Sequence, residues 1–462
     1  MKKILLQCYF CSLISSFLFS QNNPNVVYII SDDQAWTDYS FMGHPDIQTP
    51  HLDKLAKESV VFERGYVPTA LCRPSLVTLI NGRYAHQHGV TGNDPSPEHN
   101  LGDPVPQGKL RRQLYSDLRL QLISYLNKYD TLPKLLSEKG YLSFQSGKWW
   151  EGNFEHGGFT HGMTEGYPNK GGRHGDAGLK IGREGMQPIT DFIDHAVKVE
   201  KPFYLWYGVF LPHTPHNPPQ RLLQNYLSKD LPLPVAKYYA NCEWFDETCG
   251  QLIKILEERN LRENTLIVYV TDNGWINRTD RTGFTLRSKQ SPNEGGVRTP
   301  ILFSWPKGNL KLGKRSDVIS SIDLFPTVLA ATGARIPKGI PGLNLLENLK
   351  NKQKIDRDGI FGETFAHDIA DIENPEASLL YRWRIEGKWK LILTYDGKAN
   401  RHKNKYLRTD KRPQLFNLIE DPSEERNVAK ENPEIVAHLA EKIHQWWPVK
   451  VRKVLTKFTQ HE

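Results

Sequence analysis

Two short apolar runs, Asn25–Ser31 (NVVYIIS) and 264–271 (NTLIVYVT), end in oxygen-bearing pairs, Asp32-Asp33 and Asp272-Asn273. Three carboxylates and an amide are hard donors, and such an all-oxygen set suits Ca²⁺ or, as second choice, Mg²⁺. Either pair alone could instead cap a following helix. Their shared position behind apolar runs favours a common site. Zinc is the competing metal for a chain with 16 histidines, yet neither an H-E-x-x-H motif nor a cysteine cluster supports it.

A different chemistry is offered by Cys72 in Ala70-Leu71-Cys72-Arg73-Pro74-Ser75-Leu76, just ahead of an expected helix. Pro74 fits a first helical turn, and Ser75 can accept a backbone hydrogen bond there. A helix N-terminus favours a thiolate or a bound sulfate or phosphate, so Cys72 reads as a nucleophile or as a structural thiol. Arg83, His86 and His88 follow in NGRYAHQHG and could orient an anion and a nucleophile, or decorate a turn. His213 and His216 flank Thr214-Pro215 after the apolar run 203–210. His367 in GETFAHD and the histidines of 156–174 are candidates for substrate recognition. Trp149-Trp150 and Trp446-Trp447 could stack on sugars or pack in the core.

These residues need elements to position them. The runs 25–31, 141–145, 203–210 and 264–271 read as buried parallel strands, and helical patterns at 53–58, 75–80, 132–139, 189–199 and 235–258 alternate with them. That alternation predicts an α/β fold with a large, mostly parallel sheet flanked by helices, whose ligand crevice lies at the carboxyl ends of the strands. The Gly- and His-rich stretch 151–183 reads as a long irregular insertion, 310–315 as an exposed basic segment, and 319–332 as an apolar helix ended by Gly333. From about residue 359 short strands at 360–366, 379–395 and 413–418, then an amphipathic helix at 434–447, predict a smaller antiparallel subdomain. The expected division is a signal peptide at 1–20, a catalytic domain at 21–345 and a C-terminal subdomain at 346–462.

The 462 residues carry 60 Lys plus Arg against 52 Asp plus Glu, a net +8, with 38% hydrophobic and 24% charged residues. This composition excludes fibrous, disordered and multispanning membrane proteins, and so small a charge excess does not indicate a nucleic-acid partner. Lys2-Lys3 followed by an apolar stretch to Ser20 has the layout of a secretory signal, so export to the periplasm or beyond is expected, with no membrane span in the mature chain. Cleavage would remove Cys8 and Cys11. Cys242 and Cys249, about 10 Å apart along one helix, are too distant to bridge and read as buried small side chains.

Taken in order, the Asp32-Asp33 pair, Cys72-Arg73-Pro74-Ser75, Gly82-Arg83-Tyr84, His88-Gly89, Gly147-Lys148-Trp149, Pro212-His213-x-x-His216, Asp272-Asn273-Gly274 and Glu294-Gly295-Gly296-Val297-Arg298-Thr299-Pro300 resemble the formylglycine-dependent sulfatases. That family has the alkaline phosphatase superfamily fold. The closing LFNLIEDPSEERNVA resembles its C-terminal subdomain, and the likeness runs through nearly the whole mature chain.

The resemblance implies that a maturation enzyme oxidises Cys72 to formylglycine, whose hydrate carries the nucleophilic hydroxyl. It implies Ca²⁺ on Asp32, Asp33, Asp272 and Asn273, charge neutralisation by Lys148 and Lys289, and protonation of the leaving oxygen by His213. Two positions depart from the family pattern: Leu76 stands where C-x-P-S-R ends in arginine, and Trp150 stands where Gly-Lys-Trp is followed by histidine. The base for breakdown of the sulfate ester would then come from His88, His86 or a histidine of 156–174. The expected activity is removal of O-sulfate from a sulfated polysaccharide or oligosaccharide, for example an algal glycan such as ulvan or carrageenan. The alternatives are a phosphodiester or phosphonate monoester hydrolase of the same superfamily, and a silent carbohydrate-binding homologue.

Overall fold

The computed structural model describes residues 23–395, 411–450, 452 and 454–458. The expected signal peptide, with Cys8 and Cys11, lies outside them. Strands run β1 Asn25–Ser31, β2 Val60–Tyr66, β3 Asp94–Pro95, β4 Leu142–Gly147, β5 His161–Gly162, β6 Phe203–Gly208, β7 Thr265–Thr271, β8 Arg298–Ser304, β9 Gly313–Arg315 and β10 Ile319–Ser320. The C-terminal part adds β11 Ile360–Phe365, β12 Asp368–Ile369, β13 Leu379–Glu386, β14 Trp389–Thr394 and β15 Gln414–Asn417.

β1 is buried along its whole length, with β6 and β7 parallel to it on either side. A strand covered on both faces has no polar side, which is why it reads as an unbroken apolar run. Val26, Tyr28 and Ile30 enter one core, packed with the Cys72–Asn81, Leu132–Ser137 and Leu324–Ala331 helices. Val27 and Ile29 enter the other, under the Pro50–Lys57, Gln187–Lys198 and Leu233–Glu258 helices. The sheet runs β10-β2-β8-β7-β1-β6-β4-β5, with β9 also on β2. Because β8 is antiparallel to both β2 and β7, the carboxyl ends of β1, β2, β4, β6 and β7 all meet at one edge.

The smaller sheet, β11-β13-β14-β15, is antiparallel. Trp383, Ile385 and Ile392 join the first core of the large sheet, while Leu391, Leu393 and Leu415 take the apolar face of the Pro433–Trp446 helix. One continuous core therefore ties the C-terminal part to the main sheet.

Three local readings are corrected. The stretch 319–332 begins as β10 and a single 3₁₀ turn, and the helix starts at Leu324: Ser320 N–H and Leu343 N–H both donate to Asp323, which fixes a turn there. The basic segment 310–315 is not exposed throughout, since β9 pairs with β2 and Arg315 is buried over Phe62. The insertion 151–183 is ordered by two 3₁₀ turns and by β5, which extends the sheet beside β4. Cys242 and Cys249 are buried free thiols on one helix, and no helix among the described residues is long and apolar enough to cross a membrane.

Candidate active site

The register of β1 on β7 builds the site. Ser31 lies beside Thr271, so the next residues, Asp32-Asp33 and Asp272-Asn273, emerge side by side. Asp272 Oδ1 accepts from the N–H groups of Asp33 and Asn273, at 3.1 and 2.6 Å. Asn273 Nδ2 donates to Asp33 Oδ1 at 2.7 Å. Asp33 adopts the left-handed region at φ 65°, a conformation that costs a non-glycine residue energy and is held here by its neighbours.

Lys148 comes from the end of β4. Gly147 before it has φ +81°, and a Cβ there would lie 1.9 Å from the Gly208 carbonyl oxygen, so glycine is what lets β4 close on β6. Lys148 Nζ reaches Asp32 Oδ1 at 2.6 Å and Asp272 Oδ2 at 3.8 Å. Cys72 is the first residue of the helix after β2, with Leu71 as cap. Gln290 N–H donates to Ala70 O at 2.8 Å and pins the neighbouring loop there. Lys289 Nζ consequently sits 3.0 Å from Cys72 Sγ and 2.5 Å from Asp33 Oδ1. Ser75 makes no cap: its N–H bonds to Leu71 O as ordinary helix, and its hydroxyl is buried without a partner.

His213 completes the wall. Its Nδ1–H donates to Thr214 O at 2.6 Å, which leaves Nε2 as an acceptor 3.4 Å from Asp33 Oδ2. Burial pushes His213 down to about 4, against the pull of Asp32 and Asp33. Burial also raises the Asp32 carboxyl to about 7, opposed by Lys148 and aided by Asp272. Burial works the same way on Asp33, but Lys289, His213 and Lys148 outweigh it and hold that carboxyl well below the usual range. Cys72 is raised to about 12 by burial, so it is a thiol at neutral pH rather than the thiolate a helix start alone would favour.

The donor set fits a hard cation. Asp32 Oδ2, Asp33 Oδ2, Asp272 Oδ2 and Asn273 Oδ1 are all buried with no hydrogen-bond partner. Four buried acceptors without a hydrogen bond in one crevice are costly, and Lys148 at 3.8 Å from Asp272 Oδ2 offsets this only in part, so the crevice suits a further positive charge. Donor atoms of Asp32, Asp33, Cys72 and His213 also lie within 4.8 Å of one another. A cation beside Asp33 would reconcile its oxygen with the facing acceptor Nε2 of His213.

Other candidates lie elsewhere. Arg83 follows the far end of the helix that Cys72 begins, about 15 Å away by helix rise, where it stacks on Tyr129 and donates to Gly339 O. His86 bonds Glu363 at 2.6 Å and stacks on Trp447 at 4.4 Å, while Trp446 stacks on Phe361. These are packing contacts between the main and C-terminal parts, so the second tryptophan pair is not a free sugar platform. His88 is buried beneath the Cys72 helix: its Nδ1 accepts from Val90 N–H, and Nε2 lies 3.3 Å from the Thr78 hydroxyl. His216 is buried beside Tyr238 and Trp275, with both ring nitrogens unpartnered. His367 lies 3.3 Å from Asn93, next to the Cys72 segment.

Sequence reading missed Arg73 and Glu151. They form a buried two-point ion pair, at 2.6 and 2.9 Å, joining the Cys72 helix to the segment after Lys148. No local spacing signals it, because the partners are 78 residues apart. Leu76 is buried in the first core and Trp150 packs beside His174, so both departures from the expected motifs are filled by apolar side chains.

The family described as Sulfatase matches residues 24–334, and the one described as N-sulphoglucosamine sulphohydrolase, C-terminal, matches 286–447. The chain is 27% identical to human arylsulfatase A over 90% of its own length and 86% of that protein. It is 24% identical to the ulvan-active sulfatase of Formosa agariphila, covering 88% of this chain and 77% of that one. Among solved structures, Ps i-CgsB in complex with k-i-k-neocarrahexaose superposes with a TM-score of 0.71 at 26% identity, covering 92% of this chain and 93% of that one.

Proposed function

Because the chain belongs to the sulfatase family, and is therefore a sulfuric ester hydrolase, we propose that it removes O-sulfate from a sulfated polysaccharide or oligosaccharide, with Cys72 matured to formylglycine and Ca²⁺ on Asp32, Asp33, Asp272 and Asn273. The carrying observation is the four unpartnered buried oxygens beside Cys72, with an ammonium on either side. Relatives named for ulvan and bound to a neocarrahexaose support a glycan as substrate.

Bound there, the cation would polarise a sulfate oxygen and fix the ester's orientation. Formylglycine at position 72 would place the nucleophilic hydroxyl where Sγ now lies. Lys148, just after β4, and Lys289, in the loop between β7 and β8, both act on position 72 at the same sheet edge and would balance the negative charge of the sulfuryl group. His213 Nε2 faces the same point; it carries no proton in the neutral ring, so it would first take one from the nucleophilic hydroxyl as that oxygen bonds to sulfur and then pass it to the leaving sugar oxygen as the ester bond breaks. Leu76 contributes no charge, so the anion relies on these two lysines. Export through segment 1–20, maturation by an enzyme that accepts Leu76, and a catalytic unit of 21–345 completed by 346–462 belong to the same proposal.

The test is production in a host that matures sulfatases, followed by mass analysis of the Cys72 peptide and assays with aryl sulfate, aryl phosphodiester and sulfated glycans. An aldehyde at residue 72 with preference for sulfate esters is the expected result. An intact thiol in fully sulfate-active protein, or preference for the phosphodiester, would overturn the reading.

A further inference from the structure

The ordered insertion brings a cation to the mouth of the site that no step above uses. Asp94 carries two guanidinium groups, from Arg119 and Arg173, with Arg173 Nε 3.0 Å from Oδ2. Arg119 is enclosed over the Tyr167 ring at 4.6 Å. The exposures differ sharply: the Arg173 side chain is 44% exposed, against 11% for Asp94 and 5% for Arg119. The nearby Asp368 is turned onto His367 Nδ1 at 2.6 Å. Both carboxylates thus face protein partners, and the charge this cluster presents to solvent is the guanidinium of Arg173.

Its position is tied to the reacting centre by two short paths. Asn93, next to Asp94, accepts from Arg73 N–H and Nη1 at 3.1 Å each, and Arg73 follows Cys72. His174, next to Arg173, accepts the Trp149 N–H on its carbonyl at 3.0 Å. The His174 ring lies 5.4 Å from Trp150 and 5.7 Å from Phe210, and Phe210 stacks on His213 at 4.3 Å. His174 Nδ1 is buried and unpartnered. Burial, with Lys148 next, keeps this imidazole neutral at neutral pH, and Arg173 is within electrostatic reach of Cys72.

We propose that Arg173 binds an anionic substituent, a carboxylate or a second sulfate, on the sugar that carries the scissile sulfate, and that His174 Nδ1 makes a polar contact to the same sugar. This rests on the reading of the chain as a glycan sulfatase. A guanidinium already oriented by Asp94 loses little freedom on binding and offers its open edge to an oxyanion. A neutral sugar would leave that edge facing water, so the site selects saccharides with more than one negative group.

The experiment compares wild-type protein with R173Q and R173K on four substrates: p-nitrophenyl sulfate, a monosulfated uronate-containing disaccharide, its carboxyl-reduced counterpart, and a disulfated disaccharide without uronate. R173Q is expected to raise KM by about 10- to 100-fold, the loss of one charge-assisted contact, on the uronate or the disulfated substrate. On the aryl sulfate and the carboxyl-reduced disaccharide it should change nothing, and R173K should restore part of the affinity. Which anionic substrate responds identifies the substituent. An equal loss on all four substrates, or none on both anionic ones, would overturn the proposal. If wild-type protein turns over no substrate, the activity reading has failed, and calorimetric titration of Cys72→Ala protein with both the uronate and the disulfated disaccharide decides the subsite separately. Binding of either abolished by R173Q upholds it, and binding of both absent or insensitive to R173Q overturns it.

Discussion

Lys390 in β14 and Glu294 at the entrance to β8 form an ion pair of 3.0 Å, buried at both ends. The same ammonium meets Glu424 at 2.9 Å, and Glu424 in turn accepts from Glu294 N–H and Arg287 Nη1. Arg287 is two residues from Lys289, so the small sheet anchors the loop that carries a site lysine. Burial raises the Glu424 carboxyl, and Lys390 opposes it. Lys390→Met would leave Glu424 buried without its cation and Glu294 with only Arg298 at 3.5 Å, at a cost of about 3–5 kcal/mol. Urea unfolding measures this, and a loss below about 1 kcal/mol would show that the triad is not what joins the two parts.

If the proposed Ca²⁺ is held by Asp32, Asp33, Asp272 and Asn273, chelation lowers both activity and thermal midpoint, because their buried oxygens are then left without a partner. Free Ca²⁺ at about 100 times its Kd adds about 2.7 kcal/mol to the folded state. Scanning calorimetry with chelator and then with added Ca²⁺ checks this. Asn273→Ala should shift the midpoint of the Ca²⁺ titration upward. A midpoint indifferent to both metal and chelator would remove the cation from the site.

The site was legible where chemistry follows directly from a buried strand. Asn25–Ser31 and Thr265–Thr271 are covered on both faces, so their apolar runs stop where the chain reaches the crevice, and the residues after them are the candidate ligands. Cys72 stood out for a different reason, as a lone thiol ahead of an expected helix, and Lys148 through the resemblance to the sulfatase motifs. What failed was pairing over distance. Arg83 and His86 are near Cys72 in sequence, but the helix between carries them to its far end, where the C-terminal part covers His86. Arg173 gave no signal in a Gly- and His-rich stretch, because its meaning comes from Asp94, 79 residues away. β10 was hidden because it is only two residues long, Ile319–Ser320, and stands one turn ahead of an apolar helix.

His88 should make stability depend on pH. Burial pushes it down to about 3, so the folded state holds it neutral, while the unfolded chain protonates it near 6.5. Its contribution is fully present above pH 6.5 and is lost as pH falls toward 3, at up to about 1.4 kcal/mol per pH unit. His88→Gln cannot take up that proton, so the stability gap between wild type and variant should narrow on acidification. Urea midpoints from pH 7 to 4 test this, and a constant gap would show that the imidazole is not held neutral.

Lys289 touches both partners of the proposed chemistry, Cys72 Sγ at 3.0 Å and Asp33 Oδ1 at 2.5 Å. Lys289→Met keeps most of the side chain's length and removes the charge. With Leu76 supplying none, the remaining lysine cannot balance the sulfuryl group alone, and kcat/KM on matured protein should fall by about 100- to 1,000-fold. Arg83→Gln is the matched control, since that guanidinium packs on Tyr129 at the other end of the helix and should leave turnover within about two-fold. Circular dichroism confirms that each variant folds, and aryl sulfate kinetics read the effect. A loss of less than about three-fold for Lys289→Met would move the charge balance onto Lys148 alone, whose ammonium is shared between Asp32 and Asp272.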